Sequence, residues 1–101
     1  MKNEKFNNGL SDAELERLAI LSEECAEVQQ IVGKILRHGY ASCNPFDKDK
    51  TMNRKLLEKE IGDINLAIEL LTKARDISAA KIAYAQIDKR EKIKPYLHHQ
   101  S

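Results

Sequence analysis

The sequence predicts an all-α fold, and three observations carry that expectation. Apolar residues recur at helical spacing from Leu18 to Leu36 and again from Leu56 to Leu71, the three-and-four periodicity of a helix face. No stretch alternates apolar and polar residues for long enough to make a useful strand, and there is no internal repeat or low-complexity tract. The turn-forming residues Gly39, Asn44, Pro45 and Asp47 gather in one connection, 39–52, which divides the helical patterns.

Residues 1–9 are polar and predict a loose N-terminus. The run "SDAE" then offers Ser11 as a helix cap with Glu14 three positions on, a capping box. The first helix is expected from about Asp12 to His38, stopped by Gly39. After the 39–52 connection, Thr51 or Asn53 can cap a second helix that runs to about Arg75. Asp76 or Ser78 can cap a third, from about Ala79 to Lys92, and Pro95 ends regular helix or opens a new turn. The closing "LHHQS" reads as a tail. The organisation predicted is one domain over 10–97, with a flexible segment 1–9 before it and a tail 98–101 after it.

Composition narrows the possible functions. A chain of 101 residues predicts one domain with a modest core. Charged residues are 33% and aromatics 5%, but 42% of residues are hydrophobic, which is not the composition of a disordered chain. Basic and acidic residues nearly cancel, 17 against 16, so net charge gives no argument for a nucleic-acid or membrane partner. Two cysteines make no disulfide framework and predict reduced thiols in a cytoplasmic protein. The N-terminus "MKNEKFNNGL" has no apolar segment of signal length. No run approaches the roughly 20 apolar residues that span a membrane.

Placed at 100° per residue around a helix axis, the first helix shows an apolar arc of Leu18, Leu21, Cys25, Val28, Val32, Ile35 and Leu36, edged by Ile20 and Ile31. Glu24 falls within it, Glu27 at its margin, and Glu23 further toward the polar side. The second helix repeats the plan. Leu56, Leu57, Ile61, Ile64, Ala67, Ile68 and Leu71 form the arc, with Glu60 inside it and Asp63 at its edge. Glu58, Lys59 and Glu69 fall on the opposite, solvated face.

An ionised carboxylate on an apolar face is costly unless paired or bound to metal. Ion pairs with Lys34, Arg37 or Lys59 are one way to offset that cost. Yet both helices carry an inward glutamate with a second acid three positions on, and i, i+3 residues share a face. If the helices pack antiparallel, Glu24, Glu27, Glu60 and Asp63 converge. Four such groups share a site only if cations neutralise them, and an all-oxygen donor set suits Mg²⁺ or Mn²⁺ over Zn²⁺.

The segments "EECAE" at 23–27 and "EIGD" at 60–63 resemble the EExxE…ExxD motif of MazG-like nucleotide pyrophosphohydrolases, of the all-α NTP pyrophosphatase superfamily. The resemblance spans about Leu10 to Leu97 and is similar to the small single-domain phage and bacterial members. It implies an antiparallel, four-helix-type bundle completed by oligomerisation, as a homodimer or homotetramer. It also implies Mg²⁺-dependent cleavage of a nucleoside triphosphate to a monophosphate and pyrophosphate, a nucleotide-pool housecleaning activity. By that resemblance Glu24, Glu27, Glu60 and Asp63 would ligate the metal, and Glu23 would orient or deprotonate the attacking water. A basic residue of the following helix, Lys89 or Lys92, would meet the phosphates. The spacing between the motif halves is long for the family and the extra length falls in 39–52, so the likeness bears on the metal site more than on substrate choice.

Other residues carry weaker signals. Lys89, Arg90, Lys92 and Lys94 also suit a helix C-terminus; Lys34 and Arg54 are further phosphate candidates. Cys25 is expected in the core, His38 and Cys43 are too isolated for a zinc site, and His98 and His99 belong to the tail. Asn65 faces outward. Tyr40 and Phe46 are expected to anchor the loop, although either can stack on a base. A thin third helix with Ala79, Ala80, Ala83 and Ala85 also predicts an oligomer. The competing expectation is a non-catalytic helical module that binds a partner. A di-iron bundle is disfavoured because it needs Glu-x-x-His pairs.

Overall fold

A computed structural model of the chain describes residues 7–100; most of the N-terminal segment and Ser101 of the tail lie outside the described residues. The fold is all-helical. Helix α1 spans Asp12–His38, α2 Asn53–Lys73 and α3 Ala79–Lys92, followed by a 3-10 turn Lys94–Tyr96. No strand occurs among the described residues; a lone antiparallel bridge between Cys43 and Met52 draws the two ends of the loop together.

Local chemistry sets the first boundary. The Ser11 hydroxyl accepts from the Glu14 N–H at 3.1 Å while the Glu14 carboxylate accepts from the Ser11 N–H at 2.8 Å, so two donors that a helix start leaves unpaired are satisfied. At the far end Gly39, at φ 88°, donates its N–H to Ile35 at 2.7 Å, a conformation that suits a residue without Cβ.

The start of α2 differs from the expected Thr51 or Asn53 cap. The capping position is Met52, which offers no side-chain acceptor. The turn is closed from outside the helix instead. Asn53 is buried, its amide donating to the Gly39 carbonyl at 3.2 Å and its N–H to Ser42 at 2.8 Å. The Thr51 N–H is taken by Asp47 at 2.9 Å. Helix α2 stops at Lys73, short of Arg75, because Arg75 turns to φ 64° and Asp76 N–H returns to the Leu71 carbonyl at 3.0 Å, a Schellman turn. Ser78 caps α3, accepting from Lys81 N–H at 3.2 Å; Asp76 does not, because Arg17 of α1 holds it.

The α1 and α2 helices pack antiparallel. The Arg17–Asp76 ion pair at 2.6 Å closes one end and the Asn53–Gly39 bond the other. Between them runs a narrow seam: Leu21, Val28, Ile31 and Ile35 against Leu56, Leu57, Ile64, Ala67, Ile68 and Leu71. Among the described residues only Ile31, Ala67 and Leu71 are fully buried apolar residues. The seam follows the Leu21–Glu24–Val28–Ile31–Ile35 line, so the other edge of the predicted arc is uncovered. Cys25 is exposed, not core, and Leu36 is 82% exposed. A single partner helix covers a stripe of roughly 100°, and these residues lie one helical step beyond it.

Every residue of α3 is exposed. The radius of gyration is 18.5 Å, against about 13 Å for a compact chain of this length. The single chain therefore leaves Leu18, Val32, Ile61, Leu66, Ile82 and Ile87 open to solvent. No helix among the described residues is long and apolar enough to cross a membrane.

Candidate metal centre

The middle of the α1–α2 seam is acidic. Glu24 and Glu27 sit one turn apart on α1, Glu60 and Asp63 one turn apart on α2, and the antiparallel register sets the pairs face to face. Each of the four contributes a carboxylate oxygen, and these atoms lie within 4.8 Å of one another. All four residues are half-buried, and the Glu60 side chain is only 14% exposed.

The electrostatics of this cluster are unresolved within the chain. Glu24 Oε2 and Glu60 Oε2 are buried without a hydrogen-bond partner among the described residues, a condition that native interiors avoid because an unpaired buried acceptor costs free energy. The Glu27 carboxyl is pushed up to about 7, first by a hydrogen bond shared with Glu60, then by the charges of Glu24 and Glu60, with burial adding less. Holding a proton between two carboxyls is one way to relieve like-charge crowding.

Among the described residues one cation reaches the cluster. The Lys59 ammonium bonds Asp63 Oδ2 at 2.9 Å and lies 3.5 Å from Glu60 Oε1. Its own pKa is raised, chiefly by the Asp63 hydrogen bond. Its stem leaves the solvated face of α2 as expected, but the ammonium bends to the edge of the site. The helix wheel conceals this; the i, i+4 spacing to Asp63 is the signal that reveals it. With its side chain 64% exposed, Lys59 is a weak, solvent-screened answer to four acids.

The donor set fits a hard divalent cation. Six-coordinate bonds of about 2.1 Å put opposite ligands about 4.2 Å apart and adjacent ones about 3.0 Å apart, so the four carboxylates, now within 4.8 Å of one another, would draw inward around one ion. The two orphaned oxygens are the lone pairs such an ion would occupy.

The other predicted residues are placed as follows. Glu23 is exposed on α1 beside the acids and makes no hydrogen bond or ion pair among the described residues. Lys89 and Lys92 lie on α3, which has no extensive packing against α1 or α2, and Lys92 pairs with Asp88 at 2.8 Å. One chain does not bring either lysine to the acids. Arg54 stacks over the Tyr40 ring at 5.0 Å, so Tyr40 anchors the loop as expected. Phe46 does not, being 91% exposed: the loop is tied by polar bonds, Asn44 to the Phe46 N–H and Asp47 to the Asp49 and Thr51 N–H groups. Asn65, His98 and His99 are exposed.

Comparison of the chain with models of known families, with curated proteins and with solved structures finds no match.

Proposed function

We propose that the chain is an Mg²⁺-dependent nucleoside triphosphate pyrophosphohydrolase that cleaves a (d)NTP to the monophosphate and pyrophosphate. The observation that carries this is the convergence of Glu24, Glu27, Glu60 and Asp63 with two buried, unpartnered oxygens among them. These are the residues of the EExxE…ExxD pattern, and the resemblance to MazG-like enzymes supplies the reaction class.

The chemistry follows from charge. Acids repel a polyphosphate, so they bind it only through a cation; when bound, Mg²⁺ neutralises the phosphates and polarises phosphorus toward attack. The four acids would hold that ion in the seam. Glu23 stands beside them but free of them, positioned to take the proton of a water attacking the α-phosphorus as the bond to the pyrophosphate leaving group breaks. Lys59, at the rim, can turn its ammonium from Asp63 to a phosphoryl oxygen, adding positive charge where negative charge develops. Mn²⁺ suits the same donors.

The exposed apolar faces and large radius of gyration support a homodimer or homotetramer. Lys89 or Lys92 then meets the phosphates across the interface. Sedimentation at micromolar concentration should show a species at least twice the 11.5 kDa of the chain. The 39–52 loop carries none of the four acids and is assigned to substrate choice.

The exposure of α3 also favours a second reading, a helical module that docks a protein partner without catalysis. Pyrophosphate release from a panel of common and modified nucleotides, with Mg²⁺ and with chelator, separates the two. Release that requires Mg²⁺ supports the enzyme; none from any nucleotide supports the module.

A further inference from the structure

A cavity of about 300 Å³ opens at the end of the α1–α2 pair opposite Arg17–Asp76. The last turns of α1, the 39–52 loop and the first turn of α2 form its walls. Its charged lining is of one sign. Lys34, Arg37 and His38 face it, with Cys43, Asn53 and Leu56, and no carboxylate of the described residues does. None of these three makes an ion pair among the described residues. Arg37 and His38 complement the C-terminal dipole of α1. That does not account for Lys34, which is half-buried a turn earlier with no counterion.

The position of this cavity matters as much as its charge. Lys34 follows Glu27 by two helical turns, about 10 Å along α1, and Leu56 precedes Glu60 by one, about 6 Å along α2. The cavity therefore lies further along the same seam, with α1 presenting acids and then cations while α2 lends it Asn53 and Leu56. That order matches a substrate that meets a metal at one phosphate and carries further phosphates beyond it.

We propose that this cavity is an anion subsite for a condensed phosphate, with Lys34 and Arg37 as its principal binding residues and His38 at its mouth. Under the hydrolase reading, on which the identity of the attached group rests, it receives the two terminal phosphates and holds the departing pyrophosphate. The cations bind the anion by charge-assisted hydrogen bonds. They need no metal to do so, which makes the subsite separable from the acid cluster.

The probe is inorganic pyrophosphate in chelator, followed by calorimetry. The intact chain should bind it without divalent metal. Lys34→Met and Arg37→Met should each weaken binding tenfold or more, and Lys73→Met, which removes the same charge elsewhere, should leave it unchanged. Absence of metal-free binding, or equal loss in all three variants, overturns the proposal. A second measurement needs no variant. Cys43 lines the cavity and exposed Cys25 does not, so pyrophosphate should slow alkylation of Cys43 by iodoacetamide and spare Cys25. An unslowed Cys43 overturns the proposal. Glu24→Gln that abolishes Mg²⁺-dependent hydrolysis should still bind metal-free pyrophosphate. A chain that binds pyrophosphate this way but hydrolyses no nucleotide keeps the subsite and loses the hydrolase reading.

Discussion

The α1–α2 seam carries half-buried carboxylates at two places and treats them in opposite ways. At one end Asp76 accepts both arms of the Arg17 guanidinium, at 2.6 and 3.1 Å. That hydrogen bonding holds the Asp76 carboxyl below its ordinary range and raises Arg17. Midway along, four acids share one exposed lysine, Glu27 is pushed up to about 7, and two oxygens have no partner. The same two helices could have set a guanidinium against the acids, as they do for Asp76. A matched pair holds a fold together; a crowd of like charges on a seam with three fully buried apolar residues weakens it. On the metal reading the second place is left unpaired because the missing charge comes from outside.

The largest effect should come from removing that difference at its centre. Glu24→Gln or Glu60→Gln keeps size and deletes a charge. Nucleotide hydrolysis should fall by roughly a hundredfold or more. The metal-free variant should melt at the same temperature as the parent or higher, because repulsion has been relieved. Mg²⁺ should stabilise the parent, through binding to the folded state alone, and should raise the variant's melting temperature much less. Melts of parent and variants with and without Mg²⁺ read this directly. A large metal-free destabilisation with an unchanged Mg²⁺ response would mean that these glutamates are structural.

The opposite result is expected at the clasp. Arg17→Met strands Asp76 and should lower the melting temperature by roughly 5 °C or more, with hydrolysis well below the transition unchanged. Asp76→Asn added to it should recover part of the loss, because a neutral amide tolerates the vacated site. Equal melting of single and double variants would show that the pair is not coupled.

Acidity separates the two places again. The folded Glu27 carboxyl binds its proton up to about 7, whereas the ordinary value is 4.5. Between those values the folded state holds a proton that the unfolded chain has released, so stability falls as pH rises through the window. Asp76 and Asp47, lowered from 3.8 by the Arg17 bond and by backbone N–H bonds respectively, contribute the reverse. Their stabilisation is present above 3.8 and is lost as pH falls below it. The metal-free chain should therefore lose melting temperature from pH 4.5 to about 7, and Glu27→Gln should flatten that slope. Mg²⁺ must displace the Glu27 proton, so its apparent affinity should climb across the same interval. A parent melting curve already flat across it would remove Glu27 from the crowd.

What the sequence made legible was local. Ser11 with Glu14, and Ser78, marked the starts of α1 and α3 because a cap and its helix are one short segment. The acid pairs were legible because i, i+3 spacing and an apolar surround are both written in the chain. The start of α2 was not, since Met52 caps nothing and the turn is closed by Asn53 reaching back to Gly39. Cys25 and Leu36 were misplaced for a related reason. A wheel gives the width of an apolar arc, but the partner helix decides which edge is covered. Phe46 misled because aromatic residues are expected to anchor, and this loop is held by Asn44 and Asp47 instead. The role of α3 lay beyond reach because the surface that would cover it is not in one chain's packing.

The smallest effect should come from the turn that delivers Asp76 to Arg17. Arg75 adopts φ 64°, a left-handed conformation that costs a residue with a Cβ about 1–2 kcal/mol. Its N–H returns to the Thr72 carbonyl at 3.1 Å and the Asp76 N–H to Leu71 at 3.0 Å, so the backbone is held there by the Schellman bonds and by the ion pair beyond. Glycine enters this region without strain but gives the unfolded chain more freedom. The two effects oppose, and the steric one is the larger. Arg75→Gly should therefore stabilise the chain by up to about 1 kcal/mol, read as a rise in the denaturant midpoint at constant slope. The gain should persist when Arg17→Met is present, because the strain belongs to the backbone of the turn. Loss of the gain in that background would mean that the clasp, rather than the Schellman bonds, imposes the left-handed turn.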